Sequence, residues 1–286
     1  MTGVAFLTLA AAVVYLIAGS VPALRDQGVK FFTGSWGYRQ HQFGAAAMLY
    51  GSAVVAAVAL LLAIPVAVGT AVFTSEICSR RLRMLLKVTV ELLAGIPSVV
   101  YGLLGVLFLR DWMGAAFERL GTDSLSPDTL LTGGVLLAVM ILPTIATLAD
   151  DALHAVAPSV REAARGLGLT RGESIVWIVL PRAFSGIVAA VLLGFGRAVG
   201  ETIAVFLVVG RADNRLPQSL FSLAPVADAG QTITSKLGGS EPNIAVGDPL
   251  HTSALLALAS LLLVVVLAAT TVAEALRSRF AEREAV

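Results

Sequence analysis

Six long apolar stretches leave this chain few ways to fold. They run over residues 4–21, 45–73, 84–109, 130–148, 183–209 and 253–273. About twenty apolar residues are needed to carry a helix through some 30 Å of hydrocarbon, and each stretch meets or approaches that length. Inside a bilayer every backbone N–H and C=O must find a partner within the protein, and a helix supplies these within one segment. The expected fold class is therefore all-α and integral to the membrane, a single domain of six transmembrane helices spanning residues 1–286. Composition agrees: 57% of the residues are hydrophobic and only 14% are charged. Residues 4–21 are expected to be a retained span, because no positive charge precedes them and "AGSVPAL" is a poor cleavage site.

Orientation follows from the placement of Lys and Arg beside short loops. Arg80, Arg81, Arg83 and Lys87 crowd the second connection, and Arg161, Arg165, Arg171 and Arg182 crowd the fourth. Arg277, Arg279 and Arg283 follow the last span. The other connections, 22–44, 110–129 and 210–252, are longer in total and poorer in basic residues per length. Both termini are thus expected on the cytoplasmic side.

Several chemistries are disfavoured at once. A net charge of +1, with no basic run or aromatic-interleaved basic patch, gives no footprint for nucleic acid. Cys78 is the only cysteine, and His41, His154 and His251 stand in different parts of the chain, so no metal site is expected. No phosphate loop of the form G-x-x-x-x-G-K-[ST] is present, nor a G-x-S-x-G elbow or an H-E-x-x-H pair. "GFGRAVG" lacks the dinucleotide spacing and lies inside a span. No catalytic residue is assigned.

Two charges interrupt the fifth stretch. In "GFGRAVGETIAVF", residues 194–206, Arg197 and Glu201 stand four apart. Either charge costs about 2.5 to 3.5 kcal/mol at the centre of a lipid-facing helix, so both are expected to face protein or a water-filled path. On a continuous helix they lie one turn apart and can pair on one face. They then either line a substrate pathway or pin helix packing, for which Gly196 and Gly200 form a small-xxx-small pair. Pro97 is expected to kink or interrupt the third span, and Lys87 and Glu91 at its cytoplasmic end suit a local ion pair.

The fourth connection is the most informative. Residues 158–181 read "PSVREAARGLGLTRGESIVWIVLP", in which Ser159 with Glu162 and Thr170 with Glu173 are two S/T-x-x-E helix starts. Gly166 and Gly168 separate them, so a helix, a turn and a second helix are expected. Val160, Ala164 and Leu167 would alternatively form the apolar face of a segment lying on the bilayer. The segment resembles the EAA loop of binding-protein-dependent ABC importer permeases, whose pattern is E-A-A, three residues, G, nine residues, I-x-L-P. Glu162, Ala163, Ala164, Gly168, Ile178, Leu180 and Pro181 fill every position. The resemblance implies a type I importer permease fold in which residues 158–173 form a coupling helix seated in a cleft of a separate ATPase subunit. By that likeness Glu162 faces a basic group, Ala163 and Ala164 permit close packing, and Gly168 allows the turn back to the membrane.

"ELLAGIPSVVYGLLG", residues 91–105, and "RAVGETIAV", residues 197–205, are similar to phosphate ABC transporter permeases, more to the PstC-type subunit than to its PstA-type partner. The likeness runs from "FFTGSWGYRQHQFGAAAMLYGS" to "TITSKLG"; it departs at "SWGYRQ", where a W-x-P feature lacks its proline, and in a very short N-terminus. It implies a multi-pass subunit of the bacterial plasma membrane, without catalysis or cofactor of its own. Its implied partners are a PstA-type permease in a heterodimer, an ATPase dimer that binds ATP and Mg, an external phosphate-binding protein, phosphate and membrane lipid. Arg197 and Glu201 are the implied pathway residues, since a guanidinium presents planar paired donors to phosphate oxygens. Other readings are a permease for sulfate, molybdate or phosphonate, a membrane enzyme acting on lipid-linked substrates through Arg197 and Glu201, and an assembly protein. Residues 210–252 are either a docking surface for the binding protein or a plain exposed loop.

Overall fold

In a computed structural model, described here for residues 2–119, 126–214, 216 and 226–284, six helices are long and apolar enough to cross a membrane. Helix α1 covers Thr2–Gln27, and α2 runs over Ala46–Ile77 with a π turn in its last five residues. Helix α3, Arg80–Ala94, is separate from α4, Ser98–Arg119. Helix α5 covers Leu130–Ala155, the short α6 covers Pro158–Gly166, and α7 runs over Arg171–Gly200. Short helices α8, Ile203–Val208, α9, Ile233–Leu237, and α10, Glu241–Ile244, precede α11, Pro249–Glu284. Strands β1, Trp36–Gly37, and β2, Gln42–Phe43, pair antiparallel with Trp36 opposite Phe43. Arg215, Pro217 and Pro225 of the fifth connection lie outside the described residues.

Two expected spans end elsewhere than their hydropathy suggests. The third was expected over 84–109 with a kink or interruption at Pro97, and the interruption is present, since Pro97 has no N–H to continue a helix and disfavours helical geometry before it. Helix α3 therefore stops at Ala94, with the Gly95 amide donating to Glu91 O at 3.1 Å, and a new helix starts at Ser98. No residue of α3 is buried in this chain, and the apolar window belongs to Ser98–Arg119. The fifth was expected over 183–209. Its helix instead begins at Arg171 and ends at Gly200, leaving Glu201 and Thr202 outside any helix before α8. Helix α11 has 36 residues, about 54 Å at 1.5 Å per residue, and so exceeds the hydrocarbon thickness. It starts with Pro249 at its first position, and Asp248 Oδ1 accepts from the amides of Leu250 at 3.0 Å and His251 at 3.1 Å.

The chain divides into two compact units. Unit 1 comprises residues 1–57, 98–137 and 199–266. Its core gathers Phe31, Trp36, Phe43, Met48, Ile233 and Leu258. Helix α8 lies against α4 at two glycines: a Cβ on Gly102 would come within 2.7 Å of Leu207 and 3.0 Å of the Ala204 Cα, and one on Gly105 within 3.0 Å of Val208. Near Pro22 a foreign hydroxyl enters the ladder of α1. Ser253 Oγ accepts from Ala23 N at 2.9 Å and donates to Gly19 O at 2.7 Å, so α11 supplies the link between an amide and the carbonyl four residues before it.

Unit 2 comprises residues 58–97, 138–198 and 267–286. Its core is made largely of small side chains, Ala71, Ala149, Ala183 and Ala190, closed by Leu153, Val156, Val179 and Ile187. Helices α5 and α7 touch where a Cβ on Gly186 would meet Ala152 at 2.5 Å and one on Gly194 would meet Ile145 at 2.5 Å. Buried Thr74 and Asp150 add a polar tie between α2 and α5, Oγ1 to Oδ1, at 2.8 Å.

Ser253→Ala leaves the Ala23 amide and Gly19 carbonyl without their bridge at a buried position. The expected loss is about 1 to 3 kcal/mol, read as a lower thermal midpoint of the detergent-solubilised protein; an unchanged midpoint refutes the bridge.

Candidate functional site

The segment 158–173 forms a helix, a turn and a helix start, each with an identifiable cause. Pro158 takes the first position of α6, so Ala157 and not Ser159 precedes the helix, and the first expected side-chain cap is absent. The second is present: Thr170 Oγ1 accepts from Glu173 N at 3.3 Å while Glu173 Oε2 accepts from Thr170 N at 2.8 Å. Between them Gly168 has φ +81°, a conformation that side chains with a Cβ rarely adopt. Its amide donates to Arg165 O at 3.0 Å, and the next amide, Leu169, reaches back to Ala164 O at 3.2 Å.

Glu162 and Ala163 are exposed, whereas Ala164 is buried within the chain itself. Ala164 thus serves packing on its own side, and the exposed surface of α6 is presented by its neighbours.

Arg161 holds this element in place. Its Nη2 lies 2.6 Å from Glu76 Oε1, and its Nε lies 3.2 and 3.4 Å from the two Glu76 oxygens. The same guanidinium donates to Leu153 O at 2.7 Å and to Val156 O, carbonyls at the end of α5 that no helical amide satisfies. Arg171, at the start of α7, donates to Glu76 O. One ion pair therefore ties the ends of α2 and α5 to α6, and the adjoining backbone receives α7. Both side chains are largely buried, at 18% and 10% exposure. Sequence reasoning counted Arg161 only as a loop charge and passed over Glu76, because 85 positions separate them and no local spacing reveals the pairing.

Arg197 is exposed on α7, and its Nη1 donates to Thr144 Oγ1 on α5 at 2.8 Å. Glu201 does not follow it by one helical turn, since the helix has ended at Gly200. Its Oε1 lies 3.5 Å from Ala204 N, at the start of α8. The pairing expected from an unbroken helix is replaced by a separate neutral partner for each charge, Thr144 on α5 for Arg197 and the Ala204 amide for Glu201.

A third polar cluster lies in unit 1. Lys236, 2% exposed, places Nζ 3.0 Å from Glu241 Oε2 and 3.0 Å from Asp213 Oδ1. Trp36 Nε1 donates to Glu241 Oε1 at 2.6 Å, and His251 Nε2 lies 3.0 Å from the same oxygen. Burial pushes the Glu241 carboxyl upward, but the hydrogen bonds from Lys236 and Trp36 and the nearby positive charge outweigh it, and it is held below the ordinary range. Among the described residues no group of His, Cys, Asp and Glu has the arrangement of a metal site.

A sequence profile of the family described as "Binding-protein-dependent transport system inner membrane component" matches residues 63–282. The chain belongs to that family. It is 38% identical over 265 residues to the phosphate transport system permease protein PstC of Mesorhizobium japonicum, covering 87% of this chain and 78% of the relative. It is 34% identical over 294 residues to the protein of the same name from Xylella fastidiosa strain Temecula1, covering 97% and 87%. Among solved structures, it resembles a chain from the inward-facing MetNI methionine ABC transporter with a TM-score of 0.53 at 19% identity. That match covers 82% of this chain and 94% of the other. At that identity the last likeness speaks for the fold alone, a multi-span helical one. The family match takes in α6, α7 and the Arg161–Glu76 pair; with the six membrane-length helices and the PstC relatives, it makes the chain a multi-pass membrane protein of PstC type.

Two measurements probe these clusters. Glu76→Gln leaves Arg161 with carbonyls alone and is expected to cost about 3 kcal/mol, while Glu76→Gln with Arg161→Gln costs less than the sum of the two single changes; strict additivity would refute the tie. For Glu241, a folded value below the unfolded one near about 4.3 gives stability that is full above that pH and lost as pH falls through the depressed value. Thermal midpoints between neutral and acid pH are expected to fall more steeply for the wild type than for Glu241→Gln; parallel profiles would refute it.

Proposed function

We propose that this family member is the PstC-type subunit of an ATP-driven importer of inorganic phosphate in a bacterial plasma membrane. The observation that carries the reading is the complete EAA spacing set on a helix, a left-handed glycine and a capped second helix. Glu162 and Ala163 stand exposed on that element, while Arg161 fixes it from beneath. Such a protrusion suits a cleft on a separate ATPase, and Glu162, Ala163, Ala164 and Gly168 are its coupling residues. The subunit performs no covalent chemistry; ATP and Mg belong to the ATPase dimer.

Phosphate as the cargo is supported by the names of the relatives and by the chemistry of Arg197. The guanidinium is exposed, has spent one Nη on Thr144, and keeps further planar donors for an oxyanion. A PstA-type permease completes the pathway opposite it, and an external phosphate-binding protein delivers the cargo to the side of residues 210–252. Both termini then lie in the cytoplasm, a placement that the Lys and Arg density of the second and fourth connections supports.

Uptake of labelled phosphate, sulfate and molybdate by cells with and without this subunit tests the substrate: loss confined to phosphate is expected, and unchanged phosphate uptake overturns the reading. Glu162→Lys is expected to abolish coupling of ATP hydrolysis to transport without altering the binding protein's own affinity. Arg197→Gln removes a charge-assisted bond worth about 1.5 to 3 kcal/mol, so phosphate uptake is expected to fall tenfold or more in an intact complex. Loss of the complex itself would assign Arg197 to packing.

A further inference from the structure

Beside the Arg161–Glu76 pair lies a cavity of about 310 Å³ whose lining is strongly one-signed. Arg83 enters it from α3, Arg161 and Arg165 from α6, and Arg171 from α7, with His154 of α5 at its edge. Glu76 is the one carboxylate in the lining, and Arg161 already neutralises it at 2.6 Å. Among the described residues Arg161 is also the only one of the four arginines in an ion pair. Three guanidiniums from three helices thus converge on one space without a carboxylate of their own, an arrangement that repels itself until an anion enters. Their planar paired donors match the oxygens of a phosphate group better than a point charge would. Arg83 also lines a separate, mostly apolar cleft of about 20 Å³ with Thr70, Thr74, Thr147 and Asp150, a carboxylate that accepts from Thr74 Oγ1 at 2.8 Å and does not line the larger cavity.

We propose that this cavity is a binding site for a phosphate group, carried by free orthophosphate or by a lipid head group, separate from the Arg197 position. Bound there, the anion cross-links α6 to α3 and α7, and so holds the EAA helix against the end of its own unit. The element assigned above to ATPase coupling is then braced by the very ion the transporter accumulates, or by the lipid around it. The site rests on the importer reading for its consequence in transport but not for its chemistry, which Arg83, Arg165 and Arg171 carry beside the Arg161–Glu76 pair.

The test uses the assembled complex with Arg197→Gln in every sample, so that the proposed pathway ligand does not contribute. In nanodiscs of phosphatidylcholine, equilibrium binding of radiolabelled orthophosphate is measured for Arg83, Arg83→Lys and Arg83→Gln. In nanodiscs that also contain phosphatidylglycerol, retained anionic lipid is counted by native mass spectrometry for the same three. Orthophosphate binding that weakens about tenfold in Arg83→Gln and is partly kept in Arg83→Lys supports the site with free phosphate as its ligand. Phosphatidylglycerol retained by Arg83 and lost in Arg83→Gln, with no orthophosphate binding, supports it with lipid as the source. Equal behaviour of Arg83 and Arg83→Gln in both arms, with all three complexes assembled, overturns it. If the importer proves to carry another oxyanion, this measurement is unaffected, so the two proposals fail separately.

Discussion

A backbone in hydrocarbon has no water to turn to, and where a membrane-length helix is interrupted or ends, its loose amides and carbonyls must find other partners. Where a helix runs unbroken it satisfies itself. Where it is broken, something must be brought: Ser253 links Ala23 to Gly19 in α1, the Glu201 carboxylate approaches the open amides of α8, and Arg161 takes the loose carbonyls that end α5. The breaks at Pro97 and after Gly200 coincide with glycine-lined contacts in unit 1, where Gly102 and Gly105 bring α8 onto α4. Irregular backbone covered by close packing is what a bilayer permits.

Arg161 shows how one side chain can serve two accounts. Its bidentate grip on Glu76 compensates two charges that would otherwise be costly to bury. Its remaining donors fall on carbonyls of Leu153 and Val156, so the charge also closes a helix terminus. The EAA residues therefore stand on a fixed base while their exposed surface is left open. In unit 1 Lys236 compensates Glu241 and Asp213, and Trp36 and His251 meet the same Glu241 from distant parts of the chain.

What could be read from the sequence acts along a continuous stretch of chain, though not every such reading survived: the Ser159–Glu162 cap is absent. Six apolar runs became six apolar helices, and the Thr170–Glu173 spacing became a reciprocal cap. The misread spans have a common source. Hydropathy averages over a window, so it began the third span at residue 84, ahead of the break expected at Pro97, and carried the fifth across Gly200, although a single residue decides each boundary. It likewise placed Arg197 and Glu201 on one helix, when the helix stops between them. The Arg161–Glu76 and Lys236–Glu241 ties were illegible for another reason: they join segments through folding, and a charge at a loop edge looks the same whether it is solvated or buried.

Between the capped start of α7 and its membrane portion lies one π turn, Ile175–Val179. A π turn accommodates one residue more than the α-helical ladder, and a residue is worth about 100° of rotation about the axis. That insertion sets the angular phase between Arg171, which meets Glu76, and the row Ala183, Ile187, Ala190 that enters the core of unit 2. A helical wheel drawn straight through 171–200 is out of phase by that amount. The single inserted residue thus sets how the capped start of α7, beside the EAA turn, is rotated relative to the face that the rest of α7 packs into unit 2.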